Sequence, residues 1–186
     1  MAEGTKMRLG QARLIAKTIC MALEPYVDRI EIAGSIRRCW PEVNDIDIVL
    51  IPKGWALHKI REAVMGWLPG TDDILSNAPD YPYKWGPKLA TFNYQGMAQV
   101  DLYFADAVTW PVLLLIRTGS KEHNVFLCTT AKNRGMKLCA DGSGIYRDHE
   151  GTERVEAVTE GDIYGALDLP YFEPVDRSGT DWRLDR

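Results

Sequence analysis

The segment Asp45-Ile46-Asp47-Ile48-Val49-Leu50 constrains this chain more than any other. Charged and apolar residues alternate with the period of two of a half-buried strand, which puts Asp45 and Asp47 on one face and Ile46 and Ile48 on the other. Residues 30–33 read as another short strand, and between the two runs Gly34-Ser35-Ile36-Arg37-Arg38, a turn that carries a hydroxyl. Two carboxylates fixed on one rigid face repel by about 4 kcal/mol at a separation of about 4 Å and an effective dielectric of about 20. A bound cation is the simplest remedy. Alone, Asp-x-Asp reads equally as the solvated face of an edge strand in an antiparallel sheet. Gly34-Ser35 upstream and a third Asp on a later strand favour a site.

That third carboxylate is Asp101. Residues 89–94 and 98–104 read as two strands joined through Gln95-Gly96, and alternation sets Asp101 on one face with Gln99 and Tyr103. If the second strand lies beside the Asp45 strand, the three acids share a face. Ala12, Ile15, Ala16, Ile19 and Leu23 fall on one helical stripe that Pro25 ends, and residues 55–67 read as a second helix stopped by Pro69-Gly70. After Asp106 the pattern turns helical, with helices over 108–117 and 121–134 broken at Thr118-Gly119-Ser120. A short strand over 136–140 and a turn at Asp141-Gly142-Ser143-Gly144 come next. Thr159 then precedes Asp162 at the spacing of an N-cap pair, opening a helix through Leu167 that Pro170 closes. A boundary near residue 107 divides the chain into 1–106 and 107–186. The fold class is mixed α/β (α+β).

Composition narrows the function. With 186 residues, 46% of them hydrophobic, the chain can bury a real core. Its formal charge of −4 argues against holding nucleic acid by bulk electrostatics, so any such partner is gripped by local patches. The chain contains no run of eighteen apolar residues, and the N-terminus lacks the order of a signal peptide; a cytoplasmic protein with no membrane partner is expected. Cys20, Cys39, Cys128 and Cys139 show no Cys-x-x-Cys spacing and read as reduced structural thiols. His58, His123 and His149 have no ligand spacing, so no zinc site is assigned.

Three carboxylates on adjacent strands with a Gly-Ser turn able to reach a polyphosphate suit two-metal nucleotidyl transfer, in which two Mg²⁺ ions clamp the attacking hydroxyl and the leaving pyrophosphate, with Mn²⁺ as a substitute. Asp45, Asp47 and Asp101 are the candidate ligands. Tyr81-Pro82-Tyr83-Lys84-Trp85-Gly86-Pro87-Lys88 reads either as a base-stacking platform or as a loop packed on the sheet. Lys121, Lys132, Arg134 and Lys137 read either as a phosphate-tracking patch or as a solvated helix face.

These residues carry a resemblance over nearly the whole chain. Gly34-Ser35 with Asp45-x-Asp47 resembles the nucleotidyltransferase signature, and Ala33-Gly34-Ser35-Ile36-Arg37-Arg38 with Asn44-Asp45-Ile46-Asp47 resembles the palm of family X DNA polymerases. Arg117-Thr118-Gly119-Ser120-Lys121-Glu122-His123-Asn124 resembles that family's palm-to-thumb junction. Arg134-Gly135-Met136-Lys137-Leu138 and Leu167-Asp168-Leu169-Pro170-Tyr171 resemble its thumb and C-terminal end. The resemblance implies a nucleotidyltransferase-type palm with a mixed sheet, followed by a small polymerase-beta-like thumb. It implies a monomeric enzyme that adds dNMP from a dNTP to a primer 3′-hydroxyl on primer/template or gapped DNA, as in gap filling during repair. Asp45, Asp47 and Asp101 would bind the metals, with Asp101 beside the primer 3′-hydroxyl. Gly34, Ser35 and Arg38 would hold the triphosphate, helped by the backbone at Asn44. Gly119 and Ser120 would pass close to the incoming sugar and base through what is often a cis peptide, and Asn124 would touch the minor-groove edge of the nucleotide. His123, inside the matched motif, would approach the nucleotide.

The departures are also informative. The chain begins one helix before Gly34, without the family's common lyase and fingers regions, and so resembles the minimal palm-plus-thumb members known from viruses. Ile116 and Arg117 replace an aromatic pair, Gln99 replaces a basic residue before the third Asp, and Cys128 stands where some animal relatives carry Arg. Two rivals stand beside the polymerase reading. One is a nucleotidyltransferase acting on RNA, protein or a small molecule without a template; the other is a non-catalytic DNA-end-binding module.

Overall fold

The computed structural model describes residues 6–68 and 83–178. The chain divides into two compact units, Met1–Ile32 with Pro41–Phe104, and Ala33–Trp40 with Ala105–Arg186.

The first unit is built on a five-stranded mixed sheet. A two-residue strand β1 (Met7–Arg8) leads into α1 (Leu9–Leu23), whose buried stripe is Ala12, Ile15, Ala16, Ile19 and Leu23. A 3₁₀ turn at Glu24–Tyr26, with Pro25 in its first turn, redirects the chain into β2 (Val27–Ile32). After β3 (Glu42–Val43) come β4 (Asp45–Pro52), α3 (Leu57–Gly66), β5 (Tyr83–Trp85), β6 (Leu89–Tyr94) and β7 (Ala98–Phe104). The strand order is β2-β4-β7-β6-β5, with β4 and β7 parallel and the other pairings antiparallel. β1 pairs separately with β3, Met7 opposite Val43.

The apolar face of the sheet carries Ile46, Ile48, Leu50, Val100, Leu102, Ala90 and Phe92, all buried. The β-branched Ile46, Ile48 and Val100 and the aromatic Phe92 among them fit a pleated surface. α1 contacts β2, β4 and α3, closing the layer as an amphipathic helix on a sheet does. Trp67 extends this core beside Phe92 and Tyr94, with ring centroids 6.0 and 5.6 Å away. The β6–β7 hairpin turns at Gln95-Gly96, both with positive φ (51° and 73°), the turn closed by the backbone N–H of Met97 donating to the carbonyl of Tyr94 at 2.9 Å before Tyr94 pairs with Ala98; glycine reaches that region without a Cβ penalty.

In the second unit a single helical turn, α2 (Gly34–Arg37), joins α4 (Trp110–Thr118), α5 (Lys121–Asn133), the β8–β9 hairpin (Lys137–Leu138 and Ile145–Tyr146), α6 (Glu160–Ala166) and a final 3₁₀ turn at Pro174–Ser178. Its core comprises Val112, Leu115, Ile116, Leu127, Ala131, Leu138, Ile145, Val155, Ile163, Tyr164 and Leu167. Ser120 caps α5 by accepting from the backbone N–H of His123 at 3.3 Å. Thr159 and Asp162 form a reciprocal capping box on α6.

The structure corrects the sequence reading in places. Pro69-Gly70, Tyr81 and Pro82 lie outside the described residues. The second helix begins at Leu57, and the strand expected over 136–140 is only Lys137–Leu138. The break between the units follows Phe104, close to the boundary expected near residue 107, but the second unit also takes in Ala33–Trp40. The cause is local: Arg37 bonds to Thr118 and Glu160, and Arg38 to Ser178, so this stretch is tied to the later chain. All four cysteines are free thiols. Among the described residues, no helix is long and apolar enough to cross a membrane.

Candidate active site

In the first unit the three acids occupy neighbouring strands in register. Across the parallel β4–β7 pairing Asp45 stands opposite Gln99 and Asp47 opposite Asp101, while Ile46 and Ile48 stand opposite Val100 and Leu102. Side chains of register partners leave a sheet on the same face, so Asp45, Asp47 and Asp101 share the face opposite the apolar layer. β4 lies between β2 and β7, which removes the edge-strand reading of Asp45-x-Asp47. An interior strand holds its side chains on a backbone bonded from both sides, and Val49, on the carboxylate face, is itself fully buried.

Among the described residues, no three His, Cys, Asp or Glu side chains are gathered so that they could hold a metal ion. The fit to a divalent ion therefore rests on donor chemistry and on one atom. Carboxylates are the hard oxygen ligands that Mg²⁺ takes. Asp101 Oδ1 is buried without a hydrogen-bond partner, and an unsatisfied buried acceptor costs about 1–3 kcal/mol unless something meets it. Asn44, the remaining nucleotide-site candidate in this unit, is exposed in the bend between β3 and β4.

The second unit holds the remaining candidates. Ser35 Oγ is buried with no hydrogen-bond partner, so its hydroxyl caps no helix. Arg38 is half-buried: its Nη1 donates to the carbonyl of Thr118 and its Nε to Ser178 Oγ at 3.1 Å. The turn that follows is drawn in closely. Gly119 has φ +70°, and a Cβ there would meet Arg38 Nη1 at 3.0 Å; the Gly119-Ser120 peptide is cis. Asn124 donates from Nδ2 to the carbonyl of Ile116 at 2.8 Å, and its Oδ1 is buried without a partner. Of the residues expected to touch the nucleotide in this unit, Gly34, Arg38, Gly119, Ser120 and Asn124 thus border the segments 34–38 and 116–124.

His123 departs from expectation. It is fully buried, hydrogen-bonds through Nε2 to Tyr164 Oη at 3.1 Å, and packs against Phe126 and Phe172. Burial, helped by the Arg177 charge, pushes its pKa down to about 3 against the opposing pull of Glu160. This is a neutral core histidine. The basic residues Lys121, Lys132, Arg134 and Lys137 are all exposed, and Arg134 pairs with Asp168 at 3.4 Å.

Sequence reasoning missed Glu160 and Arg177. Glu160 is 7% exposed; it accepts from Arg37 Nη1 and Nη2 at 2.8 and 2.7 Å and from the fully buried Arg177 at 2.8 Å. Burial pushes the Glu160 carboxyl up, but the two guanidiniums outweigh it and leave the pKa lowered. The only sequence signal was an acidic residue in the first turn of a capped helix, which ordinarily means no more than a favourable charge at the positive end of the helix dipole.

Comparisons with known proteins agree with this architecture. Residues 113–178 match the family model for the DNA polymerase beta thumb. The DNA polymerase/3'-5' exonuclease PolX of Bacillus subtilis (strain 168) is 27% identical over 171 residues, which are 89% of this chain and 27% of that relative, so the chain spans about a quarter of its length. Two crystal structures of Leishmania infantum polymerase beta superpose on 94% of the chain. The ternary P/T complex does so with TM-score 0.74 at 21% identity over 77% of that chain, and the ternary gap complex with 0.73 at 20% over 71%. The mixed five-stranded sheet and the helical second unit are thus a polymerase-beta-type fold. The chain is similar to family X DNA polymerases, in sequence to the thumb model over residues 113–178 and to PolX, and in fold to polymerase beta.

Proposed function

We propose that this chain is a DNA-directed nucleotidyltransferase that adds dNMP to a primer 3′-hydroxyl, with residues 1–106 as palm and 107–186 as thumb. The observation that carries the reading is the register of Asp47 with Asp101 across two parallel interior strands, with Asp45 on the same face. The orphaned Asp101 Oδ1 supports it, because a buried acceptor without a partner fits an oxygen that meets a ligand in use. The homology to DNA polymerases supports the choice of DNA as the acceptor.

Asp45, Asp47 and Asp101 would hold two Mg²⁺ ions, which supply charge neutralisation at the transferred phosphoryl group. The chain's own residues do the rest. Asp101 accepts the proton of the primer hydroxyl as that oxygen attacks the α-phosphorus and pyrophosphate leaves. The hydroxyl of Ser35, buried without a partner in the protein, donates to a phosphate oxygen. Arg38 adds a charge-assisted contact that neutral donors cannot match. Gly119, where a side chain would crowd Arg38, leaves room for the sugar, and Asn124 presents its amide to the nucleotide's minor-groove edge.

The test is primer extension by the full chain on gapped and single-stranded DNA in Mg²⁺, with dNTPs and rNTPs supplied separately. Extension of the gapped primer by dNTPs is expected. Failure to extend any DNA, with nucleotide transfer to RNA, protein or a small molecule instead, would replace this reading with the untemplated transferase.

A further inference from the structure

Glu160 opens α6 behind the Thr159–Asp162 capping box, yet its carboxylate points into the unit and not into solvent. A buried carboxylate is tolerated only when charge and hydrogen bonds meet it on several sides. Arg37 does so through both Nη atoms, and Arg177 through Nη1. Arg177 is itself fixed, with its Nε donating to the carbonyl of Phe172 at 2.9 Å and its guanidinium over the rings of Tyr164 and Tyr171, 5.6 and 5.5 Å from their centroids. Glu160 is thus braced by Arg177 as well as by Arg37.

Arg37 Nη1 is shared between Glu160 and Thr118 Oγ1, the latter at 2.7 Å. The next residue, Arg38, donates to the carbonyl of the same Thr118. Two consecutive arginines therefore grip one threonine, from its hydroxyl and from its carbonyl, and Glu160 fixes the first of them. Replacing such a buried charge cluster by apolar residues of similar volume is often neutral or stabilising, so stability is a weak reason for building it. A network that sets the geometry of a neighbouring site is a better one.

We propose that Glu160 is a positioning residue of the nucleotide subsite: through Arg37, braced by Arg177, it sets segment 34–38 against Thr118 and so presets Ser35 and Arg38 for the triphosphate. The inference rests on the nucleotidyltransferase reading. Glu160 does not touch the nucleotide; it removes the freedom that Arg37, and with it Arg38, would otherwise lose on binding.

The test compares steady-state extension of a gapped primer by the full chain, its Glu160→Gln variant and a control, Ile163→Ala, which weakens the same helix by opening a cavity in the core. Glu160→Gln keeps the shape and loses the charge. Its dNTP KM should rise by about tenfold, the lower end of what a charge-assisted hydrogen bond is worth, with kcat at saturation nearly unchanged. Ile163→Ala should lower Tm and leave KM unchanged. Thr118→Val, which removes only the shared hydroxyl, should raise KM in the same direction and serves if Glu160→Gln does not fold. An unchanged KM in a folded Glu160→Gln, or an equal rise in Ile163→Ala, overturns the proposal while the polymerase reading stands. A wild-type chain that neither binds nor incorporates any nucleotide overturns both.

Discussion

Asp47 stands directly opposite Asp101 in the parallel pairing of β4 and β7. Parallel strands in register have no freedom to slide one residue without sending every side chain to the other face, and here the other face is the packed apolar layer. The two acids are therefore held on a common face by Ile46, Ile48, Val100 and Leu102, whose side chains lie buried on the other one.

Replacing Asp101 by Ala should remove turnover and spare nucleotide binding, since Asp45 and Asp47 remain to hold the metal-bound triphosphate. Loss of several kcal/mol of transition-state stabilisation corresponds to about 10³-fold in kcat. Single-turnover extension with a parallel nucleotide titration measures both. Turnover within about tenfold of wild type would take Asp101 out of the reaction.

Arg38→Ala should act on affinity. The guanidinium contact to the triphosphate is worth about 1.5–3 kcal/mol, so dNTP binding, read by calorimetry with the full chain, should weaken accordingly. An unchanged affinity would return Arg38 to a purely structural role between Thr118 and Ser178.

His123 makes stability depend on pH. Its folded pKa, near 3, lies below the ordinary value of 6.5, so between those values the unfolded chain binds a proton that the folded chain refuses. Stability from this group is complete above pH 6.5 and falls by about 1.4 kcal/mol per unit as pH drops toward 3. Denaturant melts at pH 7 and 5 should show that loss in the wild type and a smaller one in His123→Gln. Equal slopes would mean that the ring takes up a proton while folded.

A net charge of −4 leaves DNA binding to local contacts. Affinity for plain duplex should be weak, gapped DNA should be preferred, and log affinity should fall with log salt by only about 0.9 per phosphate contacted. Reversing Lys132 and Lys137, both exposed on the second unit, to Glu should flatten that slope. A steep slope indifferent to these changes would place the grip elsewhere.

What could be read in the sequence was whatever local periodicity writes down. Asp45-x-Asp47, Asp101 and the Gln95-Gly96 hairpin follow from a period of two and a turn signal, and the Thr159–Asp162 pair from capping chemistry. β1 could not be read this way, because two residues carry no period and Met7 pairs with Val43 far along the chain. His123 was expected to approach the nucleotide because it lies within a matched motif; its burial depends on Tyr164 and Phe172, which arrive from other elements. Glu160 was invisible for the same reason. Nothing in its neighbourhood announces that Arg37 and Arg177 will enclose it.

The assignment of Ala33–Trp40 to the second unit also bears on how the protein is made. Arg37 leaves the ribosome 123 residues before Glu160, while the β2 and β4 strands that flank its segment can pair as soon as residue 52 emerges. The segment thus waits, with its guanidiniums solvated, until residue 160 has emerged. For the same reason no single cut yields an intact second unit: a fragment starting at residue 105 would carry Glu160 and Arg177 without Arg37, and would need residues 33–40 returned as a separate peptide or grafted on by circular permutation.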